Sequence, residues 1–406
     1  MRRPNRGNPV TGLVLAALLA HAAASAVAQD SAPKPRYLPI DSLQARATKD
    51  SNDAIVHYEL AMGYWRARRW DDADRALHQA VALAPQYAEA DLALFKLPFA
   101  RGEGYWKRVE KSQGREAVVA AFAAADRYYR RAFLSNPMVD LGALGYTDEG
   151  GDVWYGQLRL RVWWLGSFRK GINQLFDGDY PGAHALLSGL RLDGRAGPQY
   201  RNLPDAVLWY HGLAAAHLAR YDEAIEDLAI LTGRAVAEAE ADPIAAVPLK
   251  ANDYRYTLAT MLYLAGRYDE AAPTFRRALE FDIALYPAHV QLARIAEARH
   301  DWDDAVSERR AAIDASPDDP GLVTDLGATL LRAGKLEEAS EVLSLAMGAA
   351  PRDARVPYLA GIVALRLGRE EAARQALTRF LEVAPTRFAA QIAETRDQLH
   401  TLESAH

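Results

Sequence analysis

The hydrophobic residues of this chain recur at three- and four-residue intervals in a series of short segments, each long enough for about three turns of helix. Polar and charged residues fill the other positions, so each segment has one apolar stripe. This periodicity predicts amphipathic α-helices. Only a few residues join consecutive segments, which predicts that the helices are arranged as hairpins.

The segments follow a fixed spacing. Pro317, Pro351 and Pro385 succeed one another at intervals of 34 residues. Each interval holds two helices, and both carry small residues in their middle: Ala61, Gly212, Ala259, Ala293, Gly327 and Gly361 in the first helices, and Ala73, Ala224, Ala271, Ala305, Ala339 and Ala373 in the second. Small side chains at both places predict that the two helices of a hairpin approach closely.

The turns and helix ends carry their own signals. Gly266, Gly334 and Gly368 stand between the first and second helices, where glycine readily adopts a positive φ. The second helix then opens on an aromatic or apolar residue with two acids, as in Tyr268-Asp269-Glu270, because the helix dipole favours negative charge there. The proline that follows lacks an N–H and ends the second helix.

These residues resemble the tetratricopeptide repeat, a helix–turn–helix unit of 34 residues. The resemblance covers residues 88–200 only in part, but it is good over the units at 54–87, 205–238, 252–285, 286–319, 320–353 and 354–387. It implies an all-α fold, a right-handed α-α superhelix or solenoid of stacked hairpins.

The resemblance also divides the chain. We expect N-terminal repeats over 51–139, the second of them with helices at 88–98 and 118–137 and a basic insertion at 101–115. An irregular, aromatic-rich helical segment follows over 140–200, then C-terminal repeats over 201–387 and a capping helix over 388–406. The aromatic run from Trp154 to Phe176 forms either the core of an irregular unit or an exposed platform. The solenoid is either continuous or broken into two lobes near 140–200.

The first 28 residues have the pattern of a secretory signal peptide. Arg2, Arg3 and Arg6 precede an alanine-rich apolar stretch, and small residues stand at Ala26 and Ala28, where signal peptidase needs them. The alternative is an uncleaved membrane anchor. Residues 29–50, with three prolines, are predicted to be a tether. We therefore expect an exported protein of the bacterial periplasm or cell envelope, with no membrane span after cleavage.

Composition narrows the functional classes. The chain contains no cysteine, which excludes disulfides, thiol nucleophiles and cysteine-bound metals. Its formal net charge of −5 becomes −8 when the three arginines of the leader are removed, which argues against nucleic acid as a partner.

Motifs for catalysis or cofactor binding are missing from the sequence. There is no His-Glu-x-x-His, phosphate loop or Gly-x-Ser-x-Gly elbow, and the ten histidines predict no ligand constellation. Asp148, Glu149 and Asp152 lack calcium-loop spacing and are interpreted as a solvated turn. We therefore expect no enzyme activity, no cofactor and no metal.

The resemblance nominates a binding surface, because certain positions of the first helix face the concave groove in this family. The implied residues are Tyr58, Trp65, Arg66, Trp209, His217, Tyr256, Tyr263, Arg294, Arg332, Arg355, Tyr358 and Arg366. Aromatic and arginine side chains are common binding hot spots, and the arginines would suit an acidic or carboxyl-ending peptide. The alternative is that the aromatics pack against neighbouring helices and the arginines are ordinary solvated surface.

Three functions compete at this stage. The leading one is a non-catalytic scaffold that binds a peptide or a partner protein. A second keeps the scaffold but makes it an accessory of polysaccharide assembly or export. A third is an enzyme with its site in the irregular 100–200 region, which requires a pocket with convergent polar groups there.

Overall fold

A computed structural model describes residues 38–138, 164–176, 178–196, 205–241 and 248–404 of the protein. Within these ranges the regular structure is helical. The α-helices in chain order are α1 Ile40–Lys49, α2 Ala54–Arg66, α3 Trp70–Leu83, α4 Ala88–Ala100, α5 Glu103–Gln113, α6 Arg115–Ser135, α7 Trp164–Phe176, α8 Tyr180–Ala196, α9 Asp205–His217, α10 Tyr221–Ala241, α11 Pro248–Leu264, α12 Tyr268–Leu279, α13 Tyr286–Ala298, α14 Trp302–Ala315, α15 Pro320–Arg332, α16 Leu336–Ala349, α17 Arg355–Arg366, α18 Glu370–Val383 and α19 Ala389–Ser404.

The chain divides into two compact units. The first comprises Met1–Arg36 and Asp140–Arg267, and its described part contains α7 to α11. The second comprises Tyr37–Val139 and Tyr268–His406, and it contains α1 to α6 and α12 to α19. The expected boundary between residues 200 and 201 falls inside the first unit, where α8 packs against α9.

Adjacent helices are joined by one recurring turn. A residue with positive φ follows the first helix at Gly178, Gly266, Gly334 and Gly368, and also at Arg68, Ala219 and His300. The next residue donates its N–H back to a carbonyl five residues earlier, as Lys335 does to Leu330 (3.0 Å) and Asp179 to Gln174 (2.8 Å). The three predicted glycine turns are confirmed. Residues with a Cβ adopt the same conformation elsewhere, at a steric cost.

The seam inside each hairpin is built from small residues. The six second-helix alanines named above are all fully buried, as are Ala61, Ala259 and Ala293 in first helices. A Cβ added to Gly327 would lie 2.7 Å from Cγ of Leu343, and one added to Gly361 would lie 2.7 Å from Cγ of Leu377. The predicted close approach is therefore confirmed, since a methyl group does not fit at these two glycines.

Prolines fix where the second helices end. Helices α3, α6, α14, α16 and α18 each end two residues before the proline that closes the repeat. The intervening residue takes an extended or non-helical conformation, as Asn136 does with φ −153° and ψ 99°. A residue before proline disfavours the α region, so the stop follows directly from the sequence.

The structure adds two helices to the N-terminal region. The tether expected over 29–50 contains helix α1, which buries Leu43 and Ala47 against α2. The apolar pattern around these two residues is short and follows three prolines, so the sequence alone did not predict a helix here. The insertion at 101–115 is also helical, because α5 spans most of it and Trp106 donates its indole N–H to the carbonyl of Pro98 (2.6 Å).

The described part of the segment expected to be irregular is a regular hairpin of α7 and α8. Phe168 is 1% exposed and packs in a core with Leu175 and Leu187, which supports the core interpretation for this one aromatic. Trp154, Tyr155, Trp163, the 146–152 turn and the signal peptide lie outside the described residues.

Within the second unit the first repeat contacts the last. The backbone N–H and hydroxyl of Thr386 both donate to the carboxylate of Asp50 (3.0 and 2.9 Å), and Asn52 donates to the carbonyl of Val383 (3.3 Å). Arg387 pairs with Asp53 at 3.2 Å. These bonds join residues more than 300 positions apart. Among the described helices, none is both long and apolar enough to cross a membrane.

The seam predicts a contrast between two glycines of one hairpin. Gly327→Ala places a methyl group against Leu343 and should lower the free energy of unfolding by about 1–3 kcal/mol, the usual effect of overpacking. Gly348→Ala in α16 meets no atom within 4 Å and should leave stability unchanged or slightly raised. Urea unfolding followed by circular dichroism measures both, and equal midpoints would contradict the close-packed seam.

Candidate interaction surface and a buried histidine cluster

A network of arginines and carboxylates runs across the first helices of three consecutive repeats, α13, α15 and α17. At its centre is Arg309 of α14, only 4% exposed. Its guanidinium donates to Glu297 (3.1 Å), to Thr329 (3.3 Å) and to Asp325 (3.5 Å). The hydrogen bonds of this one side chain therefore fix α13 relative to α15.

The carboxylates of this network each receive more than one donor. Glu297 also accepts from the hydroxyl of Thr329 (2.6 Å) and from Arg332 (2.8 Å). Asp325 also accepts from Arg355 (3.1 Å), whose guanidinium bonds to Asp353 as well (2.7 Å). We call the set Arg294, Glu297, Arg309, Asp325, Thr329, Arg332, Asp353 and Arg355 the arginine network.

Charge within the network lowers the pKa of Asp325. Burial acts to raise it, but the guanidiniums of Arg309, Arg355 and Arg294 outweigh burial, so the net shift is downward. A carboxyl with a lowered pKa contributes stability above its ordinary pKa, and this contribution is lost as the pH falls through the lowered value.

The predicted surface arginines are already engaged. Arg332 and Arg355 hold carboxylates, Arg294 donates to Gln291 (3.2 Å), and Arg366 donates to the carbonyl of Leu331 (3.2 Å). Arg66 is exposed at the end of α2. The surface is therefore of mixed charge. Four arginines share three carboxylates in the network, which leaves a small positive excess.

Most predicted aromatics are partly buried by neighbouring rings. Tyr58 lies 5.1 Å from Tyr87 between ring centres, and burial raises the pKa of Tyr58 to about 12. Trp65 and Trp70 form an edge-on pair at 5.5 Å. In the first unit Trp209 lies 5.5 Å from Tyr254, and His217 stacks on Tyr180 at 4.1 Å. These contacts agree with the packing alternative that the sequence left open.

The three remaining tyrosines differ in exposure. Tyr256 is 1% exposed and belongs to the core, so the structure does not support a direct binding role for it. The same position of the repeat is buried at Val290 and Thr324 as well, so the fifth residue of the first helix packs against neighbouring helices in these repeats. Tyr263 is partly buried. Tyr358 is also partly buried and donates its hydroxyl to Glu394 of the capping helix (3.0 Å).

Comparisons with known proteins agree with this architecture. Two family models, both described as "Tetratricopeptide repeat", match residues 298–357 and 233–289. The chain therefore contains tetratricopeptide repeats over these residues. A search of curated proteins found no match. The match at 298–357 includes the whole of α14, α15 and α16, so part of the arginine network lies within a recognised repeat.

Solved structures of such repeats are similar to parts of the chain. The C-terminal part of a TPR repeat-containing protein from Cytophaga hutchinsonii has 13% identity and a TM-score of 0.47 over 59% of this chain and 88% of that one. A structure titled MamA has 16% identity and a TM-score of 0.35, covering 42% and 92%. The TPR domain of P58(IPK) has 14% identity and a TM-score of 0.27, covering 90% and 93%.

The histidines also need a correction, because two of them converge with an acid. His184 of α8, His211 of α9 and Glu223 of α10 place one nitrogen or oxygen each within 4.8 Å of one another. His184 Nε2 lies 2.8 Å from the Glu223 carboxylate, and His211 Nε2 lies 3.8 Å from it. We call these residues, with Ser188 and Asp227, the histidine cluster. Burial lowers the pKa of His184, although Glu223 acts in the opposite direction.

Comparison of equivalent positions in the repeats gives a sequence signal for this cluster. The residue before the small residue of the first helix is Leu60, Leu292 or Leu326 in other repeats, and each is buried. His211 occupies this position before Gly212. A histidine at a buried position that leucine occupies in other repeats needs polar partners, and the neighbouring helices supply them. These partners lie on other helices, so no spacing within one helix reveals them.

The arginine network predicts unequal roles for two adjacent arginines. Arg309→Met removes a buried cation from two carboxylates and should reduce the free energy of unfolding by about 3 kcal/mol. Arg310→Met breaks only the exposed pair with Glu338, which should cost less than about 1 kcal/mol. Denaturant unfolding near neutral pH compares them, and an equal effect of the two substitutions would contradict the central role of Arg309.

Proposed function

We propose that the chain is a non-catalytic scaffold that binds a peptide or a partner protein in the cell envelope of a bacterium. The observation that carries this proposal is the arginine network on consecutive first helices. It holds charged side chains in fixed positions along one face of stacked repeats. Side chains that are ordered before binding lose less conformational entropy when a partner docks.

Charge pattern suggests the chemistry of the partner. The guanidiniums of Arg294 and Arg366 are bonded to neutral acceptors, a side-chain amide and a backbone carbonyl. Those two positions therefore add positive charge to a face that also presents Asp325 and Asp353. A segment with acidic residues facing Arg294 and Arg366 would complement this face, and its register would be set by the fixed carboxylates.

Export to the envelope is the second part of the proposal. Its support is the N-terminal pattern of three arginines, an apolar stretch and small residues at Ala26 and Ala28. The lack of cysteine is compatible with an oxidising compartment, where folding would then depend on helix packing alone.

Partner capture tests the surface. Cross-linking pull-down from the envelope fraction of the source organism should recover a protein with the wild-type chain. The recovery should fall at least tenfold with the double variant Arg294→Glu and Arg366→Glu, because the change reverses two charges on the proposed face. Quantitative mass spectrometry of the captured protein gives the measurement.

The matched control reverses two exposed arginines on second helices, Arg310→Glu and Arg379→Glu, with the same change in net charge. It should keep wild-type recovery, and circular dichroism should show that both double variants are folded. If the two double variants recover the partner protein equally well, the partner does not bind to the proposed face. Retention on a polysaccharide affinity gel without any protein partner would favour the polysaccharide alternative.

Localisation has its own test. The chain expressed in a bacterial host should be released with the periplasmic fraction, and N-terminal sequencing should begin at Gln29 because cleavage follows Ala28. Recovery of the full-length chain from the cytosol would contradict export. Recovery of the full-length chain in the membrane fraction would mean that the leader is kept as an anchor.

A further inference from the structure

We propose that His184, His211 and Glu223 form a binding site for a divalent transition-metal ion such as zinc. The three residues lie on three successive helices, α8, α9 and α10, of the first unit. His184 and His211 are 7% and 2% exposed, whereas Glu223 is at the edge of the cluster with one face toward solvent.

The distances fit such an ion after small side-chain movements. Donor atoms about 2.1 Å from a tetrahedral zinc lie roughly 3.4 Å from one another. The Glu223 carboxylate lies 2.8 Å from His184 Nε2 and 3.8 Å from His211 Nε2, which brackets this value. All three donor atoms lie within 4.8 Å of one another, so rotations of side chains without backbone movement bring them into range.

A hydrogen bond on the side of the ring away from the proposed ion sets the orientation of His211. Its Nδ1 is hydrogen-bonded to the carboxylate of Asp227, which is fully buried. Donation to a carboxylate keeps the proton on Nδ1 and leaves the lone pair of Nε2 directed into the cluster. Metal-binding histidines commonly have such a carboxylate behind them, and it also makes the ring a stronger ligand.

Hydrogen bonds alone leave the cluster with an unmet acceptor. Ser188 Oγ lies 3.0 Å from His211 Nε2 and 3.3 Å from His184 Nδ1, but its hydroxyl has one proton. If His184 donates from Nε2 to the ionised Glu223, both nitrogens that face Ser188 are acceptors. One of them then has no donor. With an ion on His184 Nε2 and His211 Nε2, the proton of His184 lies on Nδ1 and is donated to Ser188 Oγ, so no acceptor is left unmet.

The donor set selects the class of ion. Two imidazole nitrogens and one carboxylate suit zinc and its first-row neighbours, whereas calcium and magnesium prefer oxygen ligands. The carboxylates of Asp227 and Glu223 lie beside the two imidazoles. Arg220 pairs with Glu223 only, so negative charge remains in the cluster, and a divalent cation would offset it. Three protein ligands leave a fourth position for water at the exposed edge.

Cobalt and zinc binding by the untagged chain tests the site. The chain should take up one Co²⁺ per molecule with the visible absorption of a low-symmetry, nitrogen- and oxygen-bound ion, and Zn²⁺ should displace it. Zn²⁺ should also raise the melting temperature, because an ion that joins three helices binds only the folded state. His184→Gln, His211→Gln and the nearly isosteric Glu223→Gln should each weaken binding more than 100-fold.

Two further variants distinguish this site from adventitious metal binding elsewhere on the chain. Asp227→Asn should weaken binding roughly 10–100-fold by disturbing the orientation of His211. His289→Gln removes another partly buried histidine that is paired with an acid, Glu308 at 2.7 Å, and should change nothing. Circular dichroism confirms that each variant is folded before titration.

Two results would overturn the proposal. One is the lack of stoichiometric uptake by the folded wild-type chain, which would make the cluster a hydrogen-bonded core alone. The other is uptake that persists in both His184→Gln and His211→Gln, which would place the ion on other histidines of the chain.

Discussion

The close approach of two helices at small residues is the constraint on which the rest of this structure depends. A fully buried alanine recurs in the second helices of the predicted repeats, and a small residue recurs in the middle of the first helices. The side chain of Leu343 occupies the space that a Cβ of Gly327 would need, so the interhelical distance is set by atoms and not by general hydrophobicity. Once this distance is fixed, the left-handed turn and the terminal proline determine where each hairpin starts and ends.

A tight seam has a consequence for polar groups. Little space remains at the small residues of the seam, so a large polar side chain near it extends past these residues, both within its own hairpin and to the next one. Arg309 is the clearest case, since it extends from α14 to carboxylates on α13 and α15. A buried cation with several acceptors specifies one arrangement of these helices, because a shifted register would leave charges unpaired. The same bonds orient Arg332 and Arg355 on the face proposed for partner binding.

Sequence reasoning succeeded where the information is local or periodic. The seam alanines, the turn glycines and the helix ends all follow from residues within one repeat, and so does α19, predicted at 388–403. It failed where partners come from different repeats or distant segments. No spacing rule links Asp50 to Thr386, or Arg309 to Asp325, because such pairs depend on how hairpins stack. Tyr256 shows a related error, because the resemblance assigned its repeat position to the surface, whereas that position is buried here and at Val290 and Thr324.

The histidine cluster follows from the same seam. Where other repeats place leucine, His211 introduces a polar ring next to Gly212, and burying an imidazole without partners costs roughly 1–3 kcal/mol. Asp227 satisfies one nitrogen, but Ser188 has one proton for two facing acceptors. Leucine would avoid this cost completely, so stability of the seam alone does not account for two histidines and a buried aspartate on three adjoining helices. A ligand that binds the unmatched lone pairs would account for them, because its binding energy offsets the desolvation that the polar residues incur in the folded chain.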